Sequence, residues 1–124
     1  MFRKMRLFKK EISRNDAIKI IEAAEHGTLA VLGADDYPYA VPLNYVYYKD
    51  CIYFHCALNG HKIDSIKGNN KVSFSIVGKS KVIPEKFTTE YESVTIFGKA
   101  HIITDKDAKQ DALIALINKY SKDF

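Results

Sequence analysis

The spacing of apolar residues predicts a helix at the start of the chain. Four apolar residues recur at helical intervals between residues 13 and 27, namely Ala17, Ile20, Ile21 and Ala24. This spacing is typical of an amphipathic helix that covers a sheet. Ser13 stands where a helix cap is preferred, and Gly27 stands where a left-handed residue commonly ends a helix.

Period-two alternation then predicts a run of strands. The predicted strands are residues 28–33, 37–48, 51–56, 71–78 and 92–103. A short helix is predicted for residues 61–67, a looser connection for 79–91, and a second amphipathic helix for 104–120. Short connections between the early strands favour antiparallel pairing, so we expect an α+β, mainly β fold rather than a doubly wound one.

Composition fits a single domain over residues 1–124, with 47% apolar and 27% charged residues. The net charge of +4 is dispersed, apart from a basic run in residues 2–10 that we interpret as a solvated N-terminal tail. We therefore expect no nucleic-acid partner. Cys51 and Cys56 lie five residues apart, on opposite faces of a strand, which predicts reduced thiols. With no signal peptide or bilayer-length apolar segment, we expect a cytoplasmic protein that does not engage a membrane.

The common catalytic signatures are absent from the sequence. There is no nucleophile elbow, no zinc-protease motif, no P-loop and no dinucleotide-binding glycine motif. A zinc site built from His55, Cys56 and His61 would lack a clear fourth ligand. We therefore predict no metal site.

Two stretches remain as candidate binding sites. Pro38 and Pro42 interrupt an otherwise regular strand, and proline belongs at a sheet edge or a bulge. Backbone groups between Val41 and Tyr45, with the Asn44 amide, could then face a ligand; a plain edge strand is the alternative.

The second stretch is the junction YFHCALNGHKIDSIK, residues 53–67. A strand ends near His55, and the predicted helix begins at His61. Unpaired N–H groups at a helix start suit a phosphate, and Lys62 there opposes the helix dipole unless an anion is bound. The alternative is that His61 and Lys62 are simply solvated.

Four ordered segments give the sequence a family resemblance. They are VPLNYVYY, IYFHCALNGHKIDSI, NNKVSFSIVG and VIPEKFTTEYESVTIFGKAHII. They resemble the pyridoxamine 5'-phosphate oxidase-like flavoproteins, nearest the nitroimidazole-resistance (Nim-type) branch. The resemblance implies a split β-barrel that forms a homodimer and binds FMN at the subunit interface. Family members commonly continue with a further strand, whereas this chain stops at Phe124, so either the barrel is shorter here or the chain is a truncated version of a longer member.

The resemblance also implies roles for individual residues. His55, Cys56 and Ala57 would lie along the flavin, and His61 and Lys62 would hold its phosphate. Ring and ribityl contacts would come from Pro42, Leu43, Asn44 and Tyr45. Tyr91, Glu92 and Ser93 would approach from the partner subunit.

The activity expected from this resemblance is an FMN-dependent oxidoreductase that reduces a small electrophile such as a nitroaromatic, with NAD(P)H as the default donor. His55 is the candidate proton donor. Residues that bind pyridoxamine phosphate are not recognisable, so we do not expect a true pyridoxamine phosphate oxidase. The alternatives are a flavin-binding or electron-carrier module without turnover, and a member that binds haem or deazaflavin.

Overall fold

Four antiparallel strands form the main sheet of the structure. The structure is a computed structural model that describes residues 12–33, 36–55, 61–86 and 88–120. Its elements are α1 (Arg14–Ala23), β1 (Gly27–Leu32), β2 (Pro38–Leu43), β3 (Val46–Tyr48), β4 (Cys51–Tyr53), α2 (His61–Gly68), β5 (Lys71–Ile83), a 3-10 turn (Pro84–Lys86), β6 (Thr88–Lys99) and α3 (Lys106–Tyr120).

The strand order of the sheet is β2-β1-β5-β6, and each neighbouring pair is antiparallel. β3 and β4 form a separate two-stranded ribbon, joined by a turn in which Lys49 and Asp50 both have positive φ. The predicted combination of helices with an antiparallel sheet is confirmed. The described strands do not close into a barrel, so the split barrel stays a prediction.

The hydrophobic core lies where α1 and α2 cover the sheet. α1 packs on β5 and β6, whereas α2 packs on β1. The most deeply buried side chains are Tyr45, Leu29 and Ile76. β1 alternates strictly between buried and half-buried positions, because successive side chains of a strand point to opposite faces.

The first helix begins as predicted and ends earlier. The Ser13 hydroxyl accepts a hydrogen bond from the Asp16 N–H at 3.1 Å, which confirms the cap. Gly27 does not end the helix, because the cap is Ala24 and Gly27 is already the first residue of β1. Glycine is required there for another reason: an added Cβ would meet the ring of Phe74 at 2.5 Å.

The predicted loose connection over residues 79–91 is wrong. β5 continues to Ile83 and β6 begins at Thr88, with a register shift between Val77 and Ser80. β1 pairs with β5 only at residues 73–75, so beyond the shift β5 and β6 pair with each other as an arm. A β-bulge bends a strand without ending it, and this explains why the alternating pattern is lost in the sequence.

The last helix buries less of its apolar stripe than its sequence predicts. Ala112 is buried, but the exposed fractions of Leu113 and Ile117 are 42% and 57%. α3 packs mainly on β3, and its closest polar contacts come from its last turn.

Candidate functional site

The proline-bearing strand lies at an edge of the sheet, as its sequence predicts. Within the described ranges β2 pairs only with β1, where Pro42 stands opposite Thr28 and Leu43 opposite Gly27. Pro38 and Pro42 are both exposed. An edge strand tolerates a residue without an N–H, because only one of its two sides needs ladder donors.

The predicted single strand over residues 37–48 is broken at Asn44 and Tyr45. The Tyr45 N–H donates to the Tyr120 hydroxyl at 3.1 Å, and the Tyr45 carbonyl accepts from the Lys119 ammonium at 3.0 Å. Both backbone groups of Tyr45 are therefore paired with α3 and not with a neighbouring strand. This pairing separates β2 from β3.

The side chain of Tyr45 belongs to the core. Its hydroxyl donates to the Ile21 carbonyl of α1 at 2.5 Å, and its ring meets Phe74 edge-on at 5.1 Å between centroids. The Lys119 ammonium lies 3.9 Å from the centroid of the Tyr45 ring. Burial raises the pKa of Tyr45 to about 12 and lowers the pKa of Lys119, because both charged forms lose solvent. Asn44, in contrast, is exposed.

The strand-to-helix junction is described at its two sides. β4 ends at Tyr53, and His55 follows as an exposed residue. Cys56 and Ala57 lie outside the described residues, as does the side chain of His61, although the backbone of His61 begins α2.

Lys62 lies in the first turn of α2 and is half-buried. Within the described ranges it forms no ion pair or hydrogen bond. A cation near the positive end of a helix dipole is favourable only with an anion beside it. Asp64 lies in the same turn, and a phosphate beside Lys62 would supply a further anion.

The third predicted group lies on the opposite edge strand. Glu92 and Ser93 are exposed on β6, where Ser93 pairs with Val77, and the backbone of Tyr91 pairs with Ser80. The side chain of Tyr91 is outside the described part of the structure. Two strands separate β6 from β2, which amounts to roughly 14 Å along the sheet.

Two open clefts of about 420 and 430 Å³ flank α2. One is lined by Asp36, Asp64 and Ser65 near the end of β1, and the other by Lys67, Asn70 and His101. Among the described side chains, none of the predicted binding residues lines either of these two clefts.

Neither a cluster of metal ligands nor a membrane-spanning helix is found among the described residues. No three His, Cys, Asp or Glu side chains in these ranges are grouped as a metal ion would require. No helix of the described ranges is both long enough and apolar enough to span a membrane.

The sequence profile of the pyridoxamine 5'-phosphate oxidase family matches residues 13–123. This match covers most of the chain, which therefore belongs to that family. The resemblance predicted from the sequence segments is confirmed. No curated protein matches the chain.

Solved structures share the fold over most of the chain. A candidate 5-nitroimidazole antibiotic resistance protein from Bacteroides thetaiotaomicron VPI-5482 is 27% identical, with a TM-score of 0.80, and the match covers 92% of this chain and 70% of that one. An FAD-binding protein from Mesorhizobium loti is 24% identical, with a TM-score of 0.66 and coverages of 90% and 77%. An FAD- and haem-binding protein from Mycobacterium smegmatis is 21% identical, with a TM-score of 0.77 and coverages of 89% and 55%.

Sequence reasoning missed Lys119 and Tyr120 as neighbours of the candidate site. Both lie more than seventy residues from Tyr45 in the chain. In the sequence Tyr120 fits the apolar stripe of the last helix, and Lys119 has the charge typical of a last turn. No local pattern indicates that they bind the backbone of Tyr45, which lies far from them in the chain.

Proposed function

We propose that this protein is an FMN-dependent oxidoreductase that reduces a small electrophile, such as a nitroaromatic, and works as a homodimer with the flavin at the subunit interface. The observation that carries this proposal is Lys62, half-buried in the first turn of α2 and without an ion partner in the described ranges. Membership of the family and the likeness to the Bacteroides protein support it.

The placement of the other residues supports a site shared by two copies. Asn44 and His55 are exposed, and Glu92 and Ser93 are exposed on β6, the edge strand opposite β2 in the four-stranded sheet. On β5, Val77 before the register shift and Val82 in the arm beyond it have exposed fractions of 53% and 65%. Exposed apolar side chains of this kind favour contact with another copy. The split barrel remains part of this proposal.

Each residue near the flavin has a distinct proposed task. Lys62 and the first N–H groups of α2 bind the phosphate, together with His61. The exposed Asn44 amide orients the ring system of the flavin. The residues that lie along the flavin are Pro42, Leu43, Cys56 and Ala57. The His55 imidazole holds a proton on a ring nitrogen and gives it to the reduced product. Bound FMN supplies the two-electron redox chemistry, and a nicotinamide supplies the reducing equivalents.

Replacing Lys62 tests the phosphate assignment. Lys62→Ala should raise the dissociation constant for FMN on the order of tenfold or more, because a charge-assisted contact is lost. Riboflavin has no phosphate, so its affinity should hardly change. Lys67→Ala, at the other end of the same helix, is the matched control. Equal losses for FMN and riboflavin would rule out Lys62 as the phosphate ligand.

Two alternative functions would use the same binding site. The protein could bind flavin without turnover, as a carrier or sensor, or it could bind haem or deazaflavin through the same site. The haem alternative is supported by the Mycobacterium smegmatis protein of the same fold. A Soret band after haem supplementation would favour it, whereas a flavin that is never reduced by a nicotinamide would favour the carrier.

A further inference from the structure

The last turn of α3 fixes the backbone beside the candidate cofactor segment. The Tyr120 hydroxyl accepts the Tyr45 N–H at 3.1 Å and lies 2.8 Å from the Tyr45 carbonyl oxygen. It also lies 2.6 Å from the Glu25 carbonyl oxygen, just beyond α1. A hydroxyl has a single proton, so it donates to one of these carbonyls at a time while it accepts from Tyr45.

Lys119 adds an independent restraint on the same residue. Its ammonium donates to the Tyr45 carbonyl at 3.0 Å and lies 3.9 Å from the centroid of the Tyr45 ring. The ring of Tyr120 lies under the same ammonium, at 5.1 Å. Two consecutive residues of α3 thus restrain the N–H, the carbonyl and the ring of Tyr45.

These contacts restrain the orientation of the neighbouring peptide. Tyr45 is fully buried, and its hydroxyl is held at Ile21. Asn44 precedes it directly, is exposed, and belongs to no strand. Asn44 has no ladder hydrogen bonds of its own. The orientation of its backbone is therefore set by its two neighbours, Leu43 at the end of β2 and Tyr45.

The rest of α3 is a poor anchor. Leu113, Ile114 and Ile117 are 42%, 48% and 57% exposed, and Ala112 is the buried apolar residue of the helix. Apart from Ala112 and the half-buried Leu116, the contacts that fix the helix come from its last turn, which is the turn bonded to Tyr45.

We propose that Lys119 and Tyr120 are positioning residues for the cofactor, which act through the backbone of Tyr45 to orient Asn44. This inference rests on the proposed function, since it assumes that Asn44 contacts the flavin. Without the two side chains, the N–H and carbonyl of Tyr45 lose their partners at a buried position, and the segment relaxes to find others. Small misplacements of this kind weaken binding without removing any direct contact.

The test compares variants that remove single polar groups. Tyr120→Phe deletes the hydroxyl and keeps the ring, and Lys119→Met deletes the ammonium and keeps a chain of similar length. Lys119→Arg retains a donor and serves as the conservative rescue. Lys109→Met, at an exposed position earlier in the same helix, is the matched control.

Affinity for FMN would be measured by fluorescence titration, and the geometry of the bound ring by visible circular dichroism at saturating FMN. All titrations would be run well below the melting temperature of each variant, so that every variant is folded. We expect Tyr120→Phe and Lys119→Met to raise the dissociation constant for FMN about tenfold, because each leaves a buried backbone group of Tyr45 without its partner and the segment that carries Asn44 relaxes. The visible circular dichroism band of bound FMN should also change in these two variants. Lys119→Arg should recover most of the FMN affinity. Lys109→Met should match the wild type in both measurements.

Three results would overturn the inference. If the wild type binds FMN and both variants bind it equally well with an unchanged band, α3 does not position the cofactor, while the proposed function stands. If the loss of FMN affinity is no larger than the unfolded fraction of each variant explains, the two residues contribute to stability alone. If the wild type itself does not bind FMN, the proposed function fails, and the positioning role fails with it. Should Tyr120→Phe not fold, Lys119→Met decides by the same criteria.

Discussion

Gly27 packs directly against the ring of Phe74. A Cβ added at Gly27 would lie 2.5 Å from Cε2 and 2.6 Å from Cζ of that ring. Phe74 is only 4% exposed and meets Tyr45 edge-on, so its ring cannot move aside without disturbing a fully buried neighbour. The ring of Phe74 therefore connects the start of β1 to Tyr45, which lies two residues after the end of β2.

Gly27→Ala should therefore destabilise the fold. We expect the free energy of unfolding to fall by about 1–3 kcal/mol, as overpacking of a core does. Gly98→Ala is the control, because a Cβ at this strand glycine would meet nothing within 4 Å. Chemical denaturation would measure both variants. Equal stability losses would show that the ring of Phe74 yields and that Gly27 is not constrained by packing.

Tyr45 predicts how stability depends on alkaline pH. Burial raises its pKa to about 12, so the folded protein retains a proton that the unfolded chain loses near pH 10. The contribution of this group is fully present below pH 10 and is lost as pH rises towards 12. Denaturation midpoints measured from pH 8 to 11 should fall less steeply in Tyr45→Phe than in the wild type. Identical slopes would show that ionisation of Tyr45 is not coupled to folding.

We predict that His55 affects kcat for the substrate and not the affinity for FMN. It is exposed two residues beyond the end of β4. His55→Ala should lower kcat for nitroaromatic reduction about 10²-fold, as loss of a general acid does, and leave FMN affinity nearly unchanged. His101→Ala, another exposed histidine, is the control. An unaltered kcat would exclude His55 as the proton donor.

The sequence predicts the elements well where a local pattern determines them. Ser13 caps α1, the edge position of β2 follows from its prolines, and α2 begins at His61 directly after the glycine of the junction. In each case the determinant is a residue's own backbone chemistry, which neighbours in the sequence suffice to reveal.

The predictions fail where partners are distant in the chain. The break at Tyr45 depends on Tyr120, and the need for glycine at position 27 depends on Phe74. Neither contact has a periodic signature, because both are set by tertiary packing. The bulge near Gly78 similarly hides the continuation of β5, since it shifts the alternation out of phase.

Binding of FMN by the purified protein is the most direct test of the proposed function. The absorbance spectrum would be recorded before and after incubation with FMN and removal of free flavin by desalting, with Lys62→Ala treated in parallel. We predict that oxidised-flavin bands remain with the wild type and are much weaker with Lys62→Ala. A wild-type protein that keeps no flavin would contradict the proposal, whereas the family membership, which rests on the sequence match, would stand.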